Sequence, residues 1–469
     1  MNLAALNDGT AMLRQELKDR SACRSPLPRG RKSLASTTSS AAAAKEEDVS
    51  AWCTDAFLEE IPKSDVHVHL DGSLRLPTLI ELARATAGVD LPTEDIAELR
   101  RSVFRPDFKS LEEYLAPFAF TVGVMQNAEN LERIAYEFAV DNFTEGVRYF
   151  EVRYAPQLHC SVDPALEFGI VEVFQAVHSG LSRARNEFND ALRADNMKGA
   201  RTGEPHYDFG IIACAMRMFF PGMSRYYDAL FALHPHADAH QVTSMASVNL
   251  VLAAKEARDT HRIPIVAIDV AGAERDNEAA VHTEAFRLAH RLQFGKTVHA
   301  GEGYGPESIW QAVRDLHAER IGHGFHIFSD GLVNGAQNQD ADGSGQTFVD
   351  NLVKYVSDRR ITLEVCLTSN LNTMPELALE DHALREMVGS RLSVCLNTDN
   401  RLVSNTNMVK ELRLAVRTFG LSPKQLREMV ITGFKRSFYH GPYTERREYV
   451  RQVMNFYDAV AAKHGVPKV

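Results

Sequence analysis

His67 and His69 stand two residues apart in Val66-His67-Val68-His69-Leu70-Asp71-Gly72. On an extended chain, residues i and i+2 face the same side, so this spacing presents two imidazoles together. Two imidazoles at one point make a poor core and a good pair of metal ligands. Three more stretches end in polar, titratable groups: Thr297-Val298-His299-Ala300-Gly301-Glu302, Ile321-Gly322-His323-Gly324 and Leu396-Asn397-Thr398-Asp399-Asn400. Taken singly, each has a plain structural explanation, as a satisfied buried histidine, a capping aspartate or a glutamate on the first turn of a helix. Taken together, that explanation would bury several imidazoles and two carboxylates with neither a metal nor a task. The metal explanation is therefore preferred. His67, His69, His299 and Asp399, with no thiolate, suit one Zn²⁺ per chain with a position left open for water. Such an ion brings the pKa of bound water to near 7. Glu302, three residues beyond a ligand, is placed to transfer protons without being needed by the metal. His323 is placed to orient the hydroxide and stabilise its charge. The chemistry expected is hydrolytic attack on an electrophilic carbon.

These residues need a scaffold that brings four distant stretches to one face. From Trp52 onward, short β-branched runs alternate with long amphipathic ones. The apolar runs are Asp65–Leu70, Val147–Arg153, Phe209–Met216, Pro264–Val270, Lys296–Ala300, Arg320–Gly322, Ile361–Leu367 and Leu392–Leu396. Between them, residues such as Leu111, Leu115 and Phe118 recur at helical spacing, and Leu131–Val140 reads similarly. Strands without polar alternation, separated by helices, predict parallel βα units. The fold class expected is α/β, a (β/α)₈ barrel whose functional groups lie at the C-terminal ends of its strands. The span 51–469 exceeds the roughly 250 residues of a typical barrel, so helical insertions are expected after strand one, at Asn189–Pro205 and at Asn334–Gln346. An open doubly wound sheet is the alternative; the absence of a glycine-rich phosphate loop after any strand weakens it.

The chain of 469 residues carries 52 Lys+Arg against 62 Asp+Glu, a net charge of −10. That balance argues against nucleic acid as a partner, and no uncharged apolar run reaches the ~18 residues of a membrane helix. Residues 1–50 stand apart in composition. A basic stretch leads into Ser33–Ser40 and four alanines, too poor in large apolar side chains to offset ordering entropy, and a disordered extension is expected there. The domain expected to carry the chemistry is 51–469. The cysteines, Cys23, Cys53, Cys160, Cys214, Cys366 and Cys395, have no paired spacing and several lie in apolar runs. Buried thiols in a reducing, cytoplasmic setting explain them better than disulfides.

The motifs His67-Val68-His69-Leu70-Asp71-Gly72-Ser73, His299-Ala300-Gly301-Glu302, Arg320-Ile321-Gly322-His323-Gly324 and Asn397-Thr398-Asp399 resemble the signature segments of the adenosine/AMP deaminase family, zinc-dependent barrels of the amidohydrolase type. Weaker matches are Phe150–Tyr154, Asp269–Gly272 and Glu364–Cys366, so the resemblance runs from about Ile61 to Phe438. The lack of HxE…PCxxC separates the chain from cytidine-type deaminases. The resemblance implies that His67, His69, His299 and Asp399 bind zinc and that Glu302 protonates N1 of a purine. It also implies that His323 positions the attacking hydroxide with Asp399, that the Gly272 N–H contacts N3 and that Asp71 holds the ribose 5′-hydroxyl. The implied reaction takes adenosine or 2′-deoxyadenosine, with water, to the inosine product and ammonia.

One position departs from the pattern. Asn400 stands where many members have a second aspartate, and Arg401 follows instead of proline. The family's aspartate must be protonated to donate to N7, whereas an amide donates at any pH, so Asn400 is expected to preserve adenine recognition. Arg401 at a site mouth would suit phosphate, although an arginine on a loop is more often solvated. Asp71 favours a 5′-hydroxyl over a phosphate. The rival readings are a deaminase of AMP, cyclic AMP, an N6-substituted adenylate or adenine, and a zinc-stabilised protein without turnover. The intact Glu302 and His323 argue against the last. Tyr114, Phe118 and Phe120 are expected either to wall the purine or to form a core helix broken near Pro117.

Overall fold

The computed structural model describes residues 52–161 and 168–468, so the extension expected at 1–50 lies outside the described residues. The predicted apolar runs become β1 (Lys63–His69), β2 (Val147–Tyr154), β3 (Asp208–Met216), β4 (Ile265–Ala271), β5 (Gly295–Ala300), β6 (Arg320–His323), β7 (Thr362–Val365) and β8 (Ser393–Leu396). Each pairs in parallel with the next in chain order. Every residue of β2 and β4 is buried, which is why their sequences lack polar alternation.

The chain closes on itself just beyond β8. Asp399 forms a parallel bridge with Val68 of β1. Its N–H donates to the His67 carbonyl at 2.9 Å, and its own carbonyl accepts from the His69 N–H at 2.7 Å. The Asn397 side chain accepts from the Val66 N–H at 3.0 Å. The sheet is thus a (β/α)₈ barrel, and a predicted ligand forms part of its seam.

The insertions differ in kind. After β1 the chain forms helices Leu76–Ala85, Ile96–Ser102, Leu111–Leu115, Phe118–Val124 and Ala128–Thr144 before entering β2. The break before Phe118 falls at Pro117, as its missing N–H and fixed φ require. The polar segment Asn189–Pro205 is not wholly an insertion, because helix Ile170–Met197 continues through its first half. The final turns of that helix project into solvent, so polar residues there carry no signal of a loop. Asn334–Gln346 is irregular apart from one short 3₁₀ turn, Ala336–Asn338. Cys53, Cys160, Cys214, Cys366 and Cys395 are buried free thiols. Among the described residues, no helix is long and apolar enough to cross a membrane.

Candidate active site

The ends of β1, β5, β6 and the segment after β8 bring His67, His69, His299, His323 and Asp399 to one point. The imidazoles of His67 and His299 lie 4.5 Å apart, centre to centre. His69 Nε2 is 3.1 Å from His299 Nε2 and 3.4 Å from Asp399 Oδ1, and His67 Nε2 is 3.5 Å from the same oxygen. Ligands about 2.0–2.2 Å from a tetrahedral ion sit roughly 3.3–3.5 Å from one another, so this spacing is that of a coordination shell. The donor atoms of His67, His299, His323 and Asp399 also lie within 4.8 Å of one another. His67 Nε2 is buried with no hydrogen-bond partner, a costly arrangement unless an ion accepts its lone pair. Burial drives His69, His299 and His323 toward the neutral form that ligates a metal. The residues present therefore fit a divalent cation.

Behind the imidazoles lies a charged lattice inside the barrel. Glu364 of β7 accepts from His67 Nδ1 at 2.6 Å, and Asp269 of β4 stands 3.0 Å from His299 Nδ1. With Nδ1 so occupied, each ring directs Nε2 outward as a lone pair, the arrangement in which histidine ligands are oriented and made more basic. Arg153 joins the two carboxylates, at 2.7 Å to Asp269 and 3.0 Å to Glu364. Arg320 reaches Glu364 at 2.5 Å and Glu151 at 2.6 Å. Ser369 donates to Asp399 Oδ2 at 2.6 Å. Gly322 gives His67 its room, since a Cβ there would lie 2.7 Å from His67 Cε1.

His323 and Asp399 are held at φ 61° and 58°, in the left-handed region. For residues with a Cβ this costs about 1–2 kcal/mol each, and both occur where the polar groups converge.

Glu302 lies beyond β5 with its carboxylate 3.5 Å from His323 Nε2. Burial raises its pKa well above the usual carboxylate range; the charges of Asp399 and Glu274 push the same way and Arg217 opposes. A residue with no sequence signal builds this loop. Glu274 accepts from the N–H groups of Gly301, Glu302, Gly303 and Tyr304 at 2.7–3.1 Å, and from the Ser308 hydroxyl. One carboxylate thus gathers the loop that carries Glu302. Glu274→Gln replaces an acceptor oxygen with a donor facing those amides. It is expected to lower the unfolding free energy by about 2–4 kcal/mol and to reduce turnover more than Kd for substrate. Denaturant unfolding and steady-state kinetics measure the two effects.

Asp71 is buried just past β1 with Oδ1 unpartnered, and burial pushes its pKa up to about 7. Gly272, just past β4, has φ 111°, a conformation that a side chain resists. Asn400 is buried beside Gly72; its Nδ2 donates to the Tyr114 hydroxyl at 2.9 Å, and its Oδ1 has no partner. Tyr114 is thereby tied to the site, while Phe118 packs into the core at its flank. Arg401 is not free on the loop: it is paired with Glu145 and with Asn142 Oδ1 at 3.3 Å. Glu274, Ser369 and the partners Asp269 and Glu364 were not identifiable as site residues from their types and spacing. The two strand carboxylates carry a faint signal, a charge inside an apolar run.

Comparison with known proteins places this geometry. The family model described as adenosine deaminase matches residues 62–225 and 236–455. The chain is 34% identical over 420 residues to adenosine deaminase 1 of Streptomyces coelicolor, covering 89% of this chain and 92% of that protein. Among solved structures, it is similar to an amidohydrolase from Burkholderia ambifaria with bound Zn, at 19% identity and a TM-score of 0.66, covering 94% and 99% of the two chains. It is also similar to adenine deaminase from Arthrobacter aurescens, at 21% identity and a TM-score of 0.61, covering 85% and 99%. These two likenesses are of fold. Matched over most of its length by the family model and by a relative of this identity, the chain belongs to the adenosine deaminase family.

Proposed function

We propose that this protein is a zinc-dependent hydrolase that converts adenosine and 2′-deoxyadenosine to inosine and deoxyinosine with release of ammonia. The observation that carries the reading is the convergence of His67, His69, His299 and Asp399 at coordination distances, with a proton-holding Glu302 beside them. The deaminase domain spans 51–469 and acts in the cytoplasm, a setting in which its buried thiols stay reduced.

The ligand set is His67, His69, His299 and Asp399. A Zn²⁺ held there supplies hydroxide at neutral pH by acidifying bound water. Glu302, kept protonated by its surroundings, gives its proton to N1 of the purine and so makes C6 more electrophilic. His323, beside Glu302, orients the attacking oxygen. The Gly272 N–H meets N3, an N–H of Asn400 meets N7, and the free oxygen of Asp71 receives the ribose 5′-hydroxyl. A buried carboxylate at that position disfavours a 5′-phosphate, and Arg401, already paired with Glu145, does not offset it. This favours a nucleoside over AMP or another adenylate.

An ultraviolet absorbance assay over adenosine, deoxyadenosine, AMP, cyclic AMP, N6-methyl-AMP and adenine, with elemental analysis of the same sample, tests the reading. Activity is expected on the two nucleosides; turnover confined to a phosphorylated substrate or to the free base overturns it. Asn400→Asp tests the N7 contact separately. A carboxyl donates only when protonated, so the variant's KM for adenosine is expected to rise with pH as that carboxyl ionises, while that of the parent changes less.

A further inference from the structure

His323 is the member of the site whose chemistry depends most on where its proton sits. A neutral imidazole donates through one nitrogen and accepts through the other. If Nε2 faces the reacting groups as N–H, the ring donates to an incoming oxygen; if Nε2 is bare, the ring takes a proton from it. The residues behind the ring fix the choice.

His323 Nδ1 lies 3.2 Å from Asn370 Nδ2, in helix Leu367–Thr373 after β7. Asn370 Oδ1 lies 3.1 Å from His382 Nε2. His382 Nδ1 accepts from the Leu384 backbone N–H at 3.0 Å. Asn370 has no measurable exposure, and His382 and His323 are each 1% exposed, so solvent does not stand in for any of these bonds. Leu384 opens helix Leu384–Gly389, and its N–H is one of the first-turn donors without a partner inside the helix.

That backbone amide sets the direction of the whole series, because an N–H can only donate. His382 Nδ1 must be the bare nitrogen, so Nε2 carries the proton and donates to Asn370. An amide orientation is ordinarily open to exchange of its O and N, but here the exchange fails. With Asn370 reversed, its NH₂ would face a His382 Nε2 that already bears hydrogen, two donors pointing at each other. Asn370 must therefore accept from His382 and donate to His323 Nδ1. His323 is then left with its proton on Nε2, on the side facing Glu302.

We propose that Asn370 and His382 are positioning residues that lock His323 as the Nε2–H tautomer, so that in the resting enzyme it enters the reaction as a hydrogen-bond donor and not as a base. This assigns roles to two residues remote from the substrate and rests on the deaminase reading only for its kinetic consequence. The tautomer itself follows from the hydrogen bonds.

The direct test needs no variant. In full-length, zinc-loaded protein labelled with ¹⁵N-histidine, the His323 ring resonances, identified by their loss in His323→Gln, are expected to show a protonated Nε2 and a bare Nδ1. A protonated Nδ1 overturns the proposal, whether or not the protein turns over adenosine. Three variants test the coupling. Asn370→Asp keeps the shape but can only accept, and is expected to move the His323 proton to Nδ1. It should cut kcat by roughly 10²–10⁴-fold, the range for a catalytic imidazole in the wrong tautomer, with KM within a few-fold and zinc content unchanged. His382→Gln, whose amide can accept from Leu384 and donate to Asn370, is expected to retain kcat, whereas His382→Leu loses it. Parental kcat in Asn370→Asp, or equal loss in both His382 variants when both bind zinc and melt cooperatively, overturns the positioning role. Loss of adenosine turnover in the parent protein with the Nε2–H signature intact would reject the substrate reading alone.

Discussion

Glu302→Gln is expected to retain its metal and to lose deamination by about 10³-fold or more, a scale set by removing the group that transfers the essential proton. The glutamine fills the same volume and leaves His67, His69, His299 and Asp399 in place, so elemental analysis should give the parental metal content. Parental turnover in the variant would reject the proton-transfer role. The same residue makes a pH prediction. Its pKa is raised well above the carboxylate range, first by burial and then by Asp399 and Glu274, so the acid form persists at pH values where an exposed glutamate has ionised. Activity attributed to that proton is therefore retained at neutral pH and declines as pH climbs through the raised value. Stability follows the same sign. A group with a raised folded pKa holds more protons folded than unfolded, so it costs stability progressively above the ordinary value of about 4.3. In metal-free protein, Glu302→Gln should be more stable than the parent at pH 8, and the difference should vanish near pH 4. Urea unfolding at the two pH values measures it.

His67→Ala is expected to lose both the metal and the activity. The residue is fully buried, has its Nε2 without a hydrogen-bond partner, and is braced from behind by Glu364. Its removal takes one ligand from the set and leaves space that water enters. Dialysed protein should fall from about one bound metal to near none, and turnover by at least about 10³-fold, the several kcal/mol a bound cation contributes. Metal retained at full stoichiometry would mean that His323 completes the shell in place of His67, and the assignment of the two rings would have to be exchanged.

The positions of the eight strands were legible because a parallel barrel buries both faces of each strand, so Phe209–Met216 or Pro264–Val270 is mostly apolar, and the structure agrees to within a residue or two. The converging residues were legible for a related reason. Histidines and carboxylates placed within or directly after such runs have no structural excuse in common. The end of helix Ile170–Met197 reads as an insertion in the sequence because its last turns largely face solvent. The supports Glu274 and Asn370 were not legible at all. Glu274 acts on residues 27 to 30 positions away, and Asn370 on a ring 47 positions away; pairings at such separations are set by the barrel and leave no local spacing to detect. Arg401 shows the converse error, a suggestive neighbour in sequence whose side chain points elsewhere.

Asp399 fastens the last stave of this hoop to the first. The join is short, two backbone hydrogen bonds either side of one residue, and the same residue faces three imidazoles. A cation held by those groups would therefore also be a rivet through the closing joint of the cylinder. Stripping it should loosen that joint before any other, with faster amide exchange at His69 and Asp399 than at their neighbours in β2 and β3. Architecture and reactivity here share one fastening, so a change that weakens either is felt by both.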